Sequence, residues 1–216
     1  MNFHSLVQGI LSEAAHMRPI EVVAAIFGVL SVLYSNWNKI YVYPTGLVST
    51  AIYIYIFIAG KLYADAGLNV YYFIMSVYGW YFWSRKDTAQ HATPVSHTNR
   101  RELTIAILIA TLGWALIYGV LYYWSDSPVP VFDSFVAATA WAGMWLLAKR
   151  KVENWLLLNI SNAAAVPLYL YKAYYLTAAL TVFLFIVACF GYVNWRRIAA
   201  REAATPINDD INSLHA

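Results

Sequence analysis

Seven long apolar stretches, separated by short polar or basic segments, account for most of the chain. Apolar residues follow one another inside them, as over residues 105–110, and do not alternate with polar residues as barrel strands would. An α-helix needs about 20 residues to cross the roughly 30 Å hydrocarbon core of a bilayer. The pattern therefore predicts seven transmembrane helices, over residues 20–37, 42–60, 66–84, 103–124, 130–148, 154–171 and 174–195.

The composition agrees with a membrane protein. Hydrophobic residues make up 61% of the 216 and charged residues only 12%, whereas soluble domains carry about 25% charged residues. Cys189, the one cysteine, lies inside an apolar stretch, so neither a disulfide framework nor metal-ligand spacing is present. We therefore predict an all-α integral membrane protein that binds the lipid bilayer, with no metal and no cofactor.

The basic residues are divided unequally between the two sides of the predicted bundle. Eleven Lys and Arg residues follow the first, third, fifth and seventh helices, and three lie on the other side. The positive-inside rule then places the N-terminus outside and the C-terminus in the cytoplasm. Because this division accounts for the net charge of +3, the charge gives no reason to expect nucleic acid as a partner.

The chain contains an internal repeat. The segment Gly79-Trp80-Tyr81-Phe82-Trp83 ends the third helix, and Gly191-Tyr192-Val193-Asn194-Trp195 ends the seventh. Their sequence positions differ by a constant number, which we call the repeat offset. At the same offset Glu21 matches Asp133, and both open an apolar stretch. Such duplication in a membrane protein is typical of transporters that hold the substrate between the two copies.

The helices group as three, one and three. The fourth crossing lets the second copy start on the same side as the first, so the copies are parallel repeats. Residues 61–63 match 172–174 at an offset smaller by one, which predicts one insertion or deletion inside a copy. Residues 1–18 are open to two interpretations, an amphipathic helix on the outer interface or a frayed terminus. The predicted organisation is an N-terminal segment 1–18, a first repeat 19–84, a cytoplasmic linker 85–101, a linking helix 102–125, a second repeat 130–197 and a polar, disordered cytoplasmic tail 198–216.

The sixth predicted helix is the most polar. Trp155, Asn159, Asn162 and Tyr169 recur at helical spacing and share one face. Because asparagines in a spanning segment are costly in lipid, we expect this face to point into the bundle. Two interpretations remain open. The face is a substrate wall, with Trp155 stacking on a ring and the amides binding hydroxyl or amide groups, or it only tightens helix packing.

Other helices add three candidates. Asn69 and Tyr72 lie in the outer half of the third helix and are candidates for the substrate cavity. Trp141, in the fifth helix, is either a packing residue or a stacking partner across the cavity. We expect a membrane-interface belt or packing, rather than a binding site, for Trp80, Trp83, Tyr192 and Trp195.

The motifs narrow the class of function. Glu21, Asp133 and Glu153 all lie near helix ends, whereas proton or sodium coupling usually requires acids deep in the membrane. This favours a passive facilitator. The last helix has no lysine for a retinal Schiff base, and no Walker, His-Glu-x-x-His or Gly-x-Ser-x-Gly motif occurs. We therefore expect a protein that is not an enzyme.

Three stretches resemble the PnuC family of bacterial vitamin transporters. They are the first-repeat signature from Tyr63-Ala64-Asp65 through Gly79-Trp80-Tyr81-Phe82-Trp83, then Val152-Glu153-Asn154-Trp155, and then Val166-Pro167-Leu168-Tyr169. The resemblance covers residues 19–197. It implies a SWEET-like fold of parallel three-helix repeats, a homotrimer, and a multi-pass protein of the bacterial inner membrane.

The resemblance also implies a function. Family members move an unphosphorylated vitamin precursor by facilitated diffusion, and a cytoplasmic kinase traps it by phosphorylation. Nicotinamide riboside is the usual substrate, and thiamine and riboflavin relatives exist. In the family motif Trp-x-x-Trp-x-x-x-Asn/Asp, Trp155 and Asn162 match while Leu158 replaces the second tryptophan. A thiamine or riboflavin transporter therefore stays an alternative, as does a membrane subunit that does not transport.

Overall fold

Eight α-helices form the computed structural model, which describes residues 3–85, 93–125 and 127–204. The rest of the predicted linker (residues 86–92, with His91) and of the tail (205–216) lies outside the described residues. The helices are α1 (Phe3–His16), α2 (Pro19–Asn36), α3 (Val42–Ala59), α4 (Tyr63–Ser84), α5 (Arg100–Trp124), α6 (Pro130–Ala148), α7 (Asn154–Tyr171) and α8 (Tyr175–Ala204).

Each of the seven predicted stretches coincides with one helix from α2 to α8. Among the described residues, five helices are long and apolar enough to cross a membrane, namely α2, α3, α5, α6 and α8. Helices α4 and α7 are as long but more polar, since they contain the asparagines of the candidate site. The prediction of an all-helical membrane protein is therefore confirmed, and the count of seven crossings stays a prediction.

The N-terminal segment forms a helix, α1, that packs on the beginning of α8. The Glu13 carboxylate accepts hydrogen bonds from the backbone N–H groups of Tyr175 and Leu176, at 2.8 and 3.0 Å. These are two of the N–H groups that a helix start leaves without partners. Gly9 lies directly against the ring of Tyr175. Residues of α1 thus cap α8 from a distant part of the sequence, and the segment is not frayed.

Two boundaries differ from the prediction. Helix α8 continues to Ala204, so the predicted tail from residue 198 begins as helix. Tertiary contacts hold this extension, because Ala199 is buried and Glu202 accepts a hydrogen bond from the backbone N–H of Val95. Helix α5 begins at Arg100, inside the predicted linker, where Asn99 and Glu102 form a capping box.

Six helices form a closed ring. Helix α3 packs between α2 and α4, and α7 packs between α6 and α8. The two three-helix units join where α4 packs on α6 and where α2 packs on α8. Helix α5 lies outside the ring, against α6 and α4. The inner faces of the six helices therefore enclose a central space between the two units.

The backbone repeats at the same offset as the sequence. All four described non-glycine residues with positive φ fall into two pairs at the repeat offset, Asn38 with Arg150 and Lys61 with Ala173. Lys61 therefore corresponds to Ala173 rather than to Lys172, so the insertion or deletion predicted from the smaller offset is not needed. A side-chain hydrogen bond also recurs at the repeat offset, from Ser49 Oγ to the Ala24 carbonyl and from Ser161 Oγ to the Val136 carbonyl, each 2.8 Å.

Candidate functional site

One end of the ring is filled by four large aromatic side chains. Tyr43, Trp83, Trp155 and Trp195 are between 0% and 4% exposed, so water does not reach them. We call these four residues the aromatic plug and this end of the ring the tryptophan end. The opposite end contains Tyr169, the ion pair between Asp133 and Lys172, and the start of α8; we call it the tyrosine end.

The plug consists of two equivalent pairs. Tyr43 meets Trp83 edge to face, with ring centroids 5.1 Å apart, and Trp155 meets Trp195 edge to face at 5.7 Å. The repeat offset relates Tyr43 to Trp155 and Trp83 to Trp195. The Trp83 and Trp195 rings, 5.9 Å apart, join the pairs across the ring. Such edge-to-face pairs contribute roughly 0.5–1.5 kcal/mol each beyond the area they bury.

The glycine that starts each repeated closing motif makes room for the plug. A Cβ atom on Gly191 would lie 2.6–2.7 Å from three indole atoms of Trp155, so the glycine backbone covers one face of that ring. Gly79 makes the same close approach to the Tyr43 ring. Each motif therefore needs glycine for contact with the preceding helix. In this conformation Trp155 is a buried packing residue, and its ring is not open for stacking on a substrate.

The tryptophans also bond the two three-helix units together. Trp83 Nε1 donates to the Ala148 carbonyl at 3.2 Å, and Trp195 Nε1 donates to the Ser35 carbonyl at 3.0 Å. Tyr43 Oη and Trp155 Nε1 are buried without a hydrogen-bond partner among the described residues. Trp83 and Trp195 are thus packing residues, whereas Trp80 is 41% exposed on the outer face.

Helix α7 presents Asn162 and Tyr169 to the inside of the ring. The exposed residues of α7 form its outer face: Leu156, Ile160, Ala163, Pro167 and Tyr171. Asn162 and Tyr169 lie on the opposite face by helical spacing, and both are half-buried. The Asn162 amide makes no hydrogen bond within the described parts of the chain. It is therefore available to a ligand in the central space.

Asn159 faces α8 rather than the centre of the ring. Its amide nitrogen donates to Cys189 Sγ at 3.4 Å, and its Oδ1 atom is buried without a partner in the described residues. Leu158, on the inner face, packs tightly against Gly143 of α6, where an added Cβ would lie 2.9 Å from Leu158 Cδ2. The leucine that replaces the family's second tryptophan therefore fills a close α6–α7 contact.

Helix α4 places the other two predicted residues on the inner face. Asp65, Asn69 and Tyr72 lie opposite the exposed residues of α4. The Asn69 amide donates to the Asp65 carbonyl at 3.0 Å, one helical turn away. Tyr169 lies within electrostatic range of Tyr72 and of Asp65 across the ring. The structure thus places the inner faces of α4 and α7 opposite each other near the tyrosine end, without contact between the two helices.

Ion pairing reduces the charge at the tyrosine end. Lys172 Nζ lies 2.6–2.7 Å from both carboxylate oxygens of Asp133, which also accepts a hydrogen bond from Ser127. Asp65 lies within electrostatic range of both members of this pair. Among the described residues its own carboxylate forms no ion pair, and it accepts a hydrogen bond from its own backbone N–H group. Two carboxylates and one ammonium group leave this region with net negative charge when all three are ionised.

Trp141 lies apart from the other predicted residues. It stacks on Tyr71 with ring centroids 4.2 Å apart, and its carbonyl accepts the Tyr71 hydroxyl at 3.0 Å. Both residues line an apolar cleft of about 450 Å³ between α4, α5 and α6. This cleft is on the side of α5, outside the ring, so the structure does not group Trp141 with Asn162.

Sequence reasoning missed Tyr43. A signal for it was present, because Tyr43 and Trp155 are related by the repeat offset, as are the two closing motifs. Among the described residues no group of three or more potential metal ligands occurs. Exposed His97 instead contacts the Glu153 carboxylate at 2.7 Å.

Comparison with known proteins agrees with this architecture. Residues 18–197 match a family described as the nicotinamide mononucleotide transporter. The nicotinamide riboside transporter PnuC of Escherichia coli is 25% identical over 211 residues, covering 85% of this chain and 87% of the relative. The PnuC protein of Neisseria mucosa is 22% identical and covers 84% and 73%.

A solved structure shows the same fold. The crystal structure of the vitamin B3 transporter PnuC superimposes with a TM-score of 0.68 at 22% identity, over 91% of this chain and 90% of the other. The family is one of transporters, in line with the prediction that the chain is not an enzyme. The match over residues 18–197 confirms the resemblance seen in the sequence, and the chain belongs to the nicotinamide mononucleotide transporter family.

Proposed function

We propose that the chain carries nicotinamide riboside across the bacterial inner membrane by uncoupled facilitated diffusion, with phosphorylation by a cytoplasmic kinase as the trap. One observation supports this most directly. The six-helix ring is closed at the tryptophan end by the aromatic plug, while Asn162 on its inner face has no hydrogen-bond partner among the described residues. A ring closed at one end, with free polar groups inside, fits a transporter open toward its other side.

The substrate in this proposal lies between the plug and the tyrosine end. The Asn162 and Asn69 amides are suited to ribose hydroxyls and the carboxamide. Tyr72 and Tyr169 offer rings to the pyridinium, whose fixed positive charge is attracted to an aromatic face. Trp155 forms the floor, with Asn159 beside it. Trp141 acts on this site only through the α4–α6 contact.

Charge favours a riboside over a mononucleotide. Nicotinamide riboside is a cation, whereas the mononucleotide adds a phosphate of opposite sign. With Lys172 paired to Asp133, an ionised Asp65 gives the tyrosine end net negative charge, which attracts a cation and opposes a phosphate. Thiamine is also a cation, and the same charge supports it as the alternative substrate.

The proposed arrangement in the membrane follows the repeat. Helices α2–α8 make seven membrane crossings, grouped as three, one and three. Residues 19–84 and 130–197 form the two parallel units, and residues 102–125 form the linking helix. The remaining segments lie outside the bilayer: 1–18, 85–101 and 198–216. The recurrence of backbone features at the repeat offset supports this. Basic residues gather at the tryptophan end, which we therefore assign to the cytoplasm, with the N-terminus outside. A homotrimer is proposed by resemblance to the family.

Transport by the purified protein in vesicles tests the proposal. Labelled nicotinamide riboside should equilibrate into vesicles that hold neither a proton nor a sodium gradient, and an uncoupler should not change the rate. Calorimetry with nicotinamide riboside, its mononucleotide, thiamine and riboflavin should show the tightest binding for the first. Uptake that stops with the uncoupler would refute facilitated diffusion, and tighter thiamine binding would favour the alternative substrate.

A further inference from the structure

The two three-helix units meet at two seams that the repeat makes equivalent. We call the contact between α4 and α6 the α4–α6 seam and the contact between α2 and α8 the α2–α8 seam. Each receives an indole hydrogen bond from the plug, at Ala148 and at Ser35 respectively. Equal seams would give no reason for the tryptophan end to open at one rather than the other. The two seams are, however, braced very differently.

A segment of the linker, residues 93–99, lies against the α6–α7 loop at the tryptophan end; we call it the strap. It pairs with the α6–α7 loop through backbone hydrogen bonds from Ser96 N to the Arg150 carbonyl (3.2 Å) and from Val152 N to the Ser96 carbonyl (3.0 Å). Val95 of the strap is 2% exposed and packs in the same core as the plug. The strap is therefore part of the folded core.

Charged side chains hold both ends of the strap. Glu153 accepts hydrogen bonds from Thr98 N and Thr98 Oγ1, at 2.8 and 2.5 Å, and contacts His97. Glu202, in the extension of α8, accepts the Val95 N–H at 2.5 Å. The strap thus bonds the α6–α7 loop to the last turns of α8.

Arg150 connects the strap to the plug. Its guanidinium lies 4.2 Å from the centroid of the Trp83 ring and also donates to the Thr93 carbonyl of the strap. This cation–π contact joins the α6–α7 loop to the end of α4. Helix α5 packs against both α6 and α4, on the outer side of the same seam. The α4–α6 seam is therefore braced by the Arg150–Trp83 contact at the tryptophan end and by α5 along its outer side.

The α2–α8 seam has no equivalent brace at its tryptophan end among the described residues. Besides the indole bond to Ser35, two amide bonds close it, from Asn194 to the Asn36 carbonyl (2.7 Å) and from Asn36 to the Val187 carbonyl (3.0 Å). The α2–α3 loop corresponds to the strapped α6–α7 loop, yet its Trp37 is 56% exposed. Helix α1 braces α8 at the tyrosine end, near Tyr175.

We infer that the α2–α8 seam is the gate at the tryptophan end and that the α4–α6 seam is its hinge. Asn36 and Asn194 are then gate residues, which separate when the plug divides between Trp83 and Trp195 and the substrate leaves. The inference rests on the proposed transport function and adds the place where the path opens. Opening at this seam breaks the indole bond and the two amide bonds and leaves the Arg150–Trp83 contact across the hinge intact.

Matched cysteine pairs test the inference. In a Cys189→Ser background, Asn36→Cys with Asn194→Cys spans the gate. Ala148→Cys with Phe82→Cys, the positions that the repeat offset relates to these two, spans the hinge. A bifunctional thiol reagent should lower nicotinamide riboside flux roughly tenfold or more across the gate and change it little across the hinge. Equal loss of flux in both pairs, or unchanged flux with the gate cross-linked, would overturn the assignment.

A second measurement needs no substitution. Hydrogen–deuterium exchange of the full chain in vesicles should show a substrate-dependent change in protection at residues 33–38 and 190–196, with residues 145–152 unchanged. A change confined to 145–152 would also overturn the assignment. Unmodified protein that moves no nicotinamide riboside would instead refute the proposed function, so the two failures are distinguishable.

Discussion

Gly191→Ala is the sharpest test of the plug. The new methyl group would lie 2.6–2.7 Å from three atoms of the Trp155 indole, well inside van der Waals contact. The indole cannot move aside easily, because Trp195 meets its edge and the residue is 1% exposed. Overpacking of this kind costs about 1–3 kcal/mol. For a chain of this size, a loss of about 2 kcal/mol corresponds to a fall in Tm of roughly 4–8 °C.

The assay is thermal unfolding of the detergent-purified protein, with Gly119→Ala as the control. Gly119 lies within α5, and a Cβ atom there would meet nothing within 4 Å. The Tm of the Gly119→Ala variant should therefore stay the same as that of wild type or rise slightly. Adding Trp155→Phe to Gly191→Ala provides a smaller ring and should restore part of the lost stability. If the Tm of Gly191→Ala equals that of Gly119→Ala, the methyl group is accommodated, and the close contact between Gly191 and the Trp155 indole does not limit the packing of the plug.

Three further predictions concern charge and binding. Glu153→Gln should lower Tm at pH 7. Burial alone would raise the pKa of Glu153, but hydrogen bonds from Thr98 and His97 outweigh burial and hold the pKa below its ordinary 4.5. A carboxylate whose pKa is lowered by folding stabilises the folded state at pH values above its ordinary pKa. The Tm difference between wild type and Glu153→Gln should therefore shrink as the pH falls through the lowered pKa. A Tm difference that does not depend on pH would contradict this. Asp65→Asn should weaken the binding of cationic nicotinamide riboside several-fold in calorimetry and leave the affinity for its neutral dihydro form unchanged. An equal loss of affinity for both ligands would exclude a charge effect. Asn162→Ala should raise the Kd for nicotinamide riboside about tenfold with Tm nearly unchanged, as expected for one lost substrate hydrogen bond, and an unchanged Kd would remove Asn162 from the site.

The helices were predictable because each is encoded locally. An apolar stretch of about 20 residues specifies a helix whatever surrounds it. The inner face of α7 followed from the same local logic, since Asn162 and Tyr169 recur at helical spacing and lipid disfavours exposed amides. The lack of a hydrogen-bond partner for the Asn162 amide, by contrast, depends on neighbouring helices and is visible only in the structure.

The burial of Trp155 depends on a contact that spacing on α7 does not show. Its ring is covered by Gly191, which belongs to the following helix. Helical periodicity places Trp155 and Asn162 on similar faces, yet one meets α8 and the other meets the central space. Pairing Gly191 with Gly79, and Trp155 with Tyr43, would have indicated that both glycines serve packing.

The strap was not predictable from composition. Its Thr, Ser, His and Pro residues are typical of a solvated linker, and the interpretation of His97 as a loop residue followed from that. Order in this segment comes from partners distant in sequence, Glu153 and Glu202, whose carboxylates accept its backbone N–H groups. The Glu202 hydrogen bond also holds the extension of α8 to Ala204, past the predicted end of the membrane span.

The contact of α1 and α2 with α8 has a consequence for biosynthesis. A ribosome delivers α1 first and α8 last, yet Glu13 caps the start of α8 and α2 closes the ring against it. The ring therefore stays open until the final helix has left the insertion machinery. A nascent chain that ends before Tyr175 has the α2 face uncovered and the Glu13 carboxylate without its N–H donors. The uncovered α2 face is thus a physical difference between a chain truncated before α8 and one whose ring has closed.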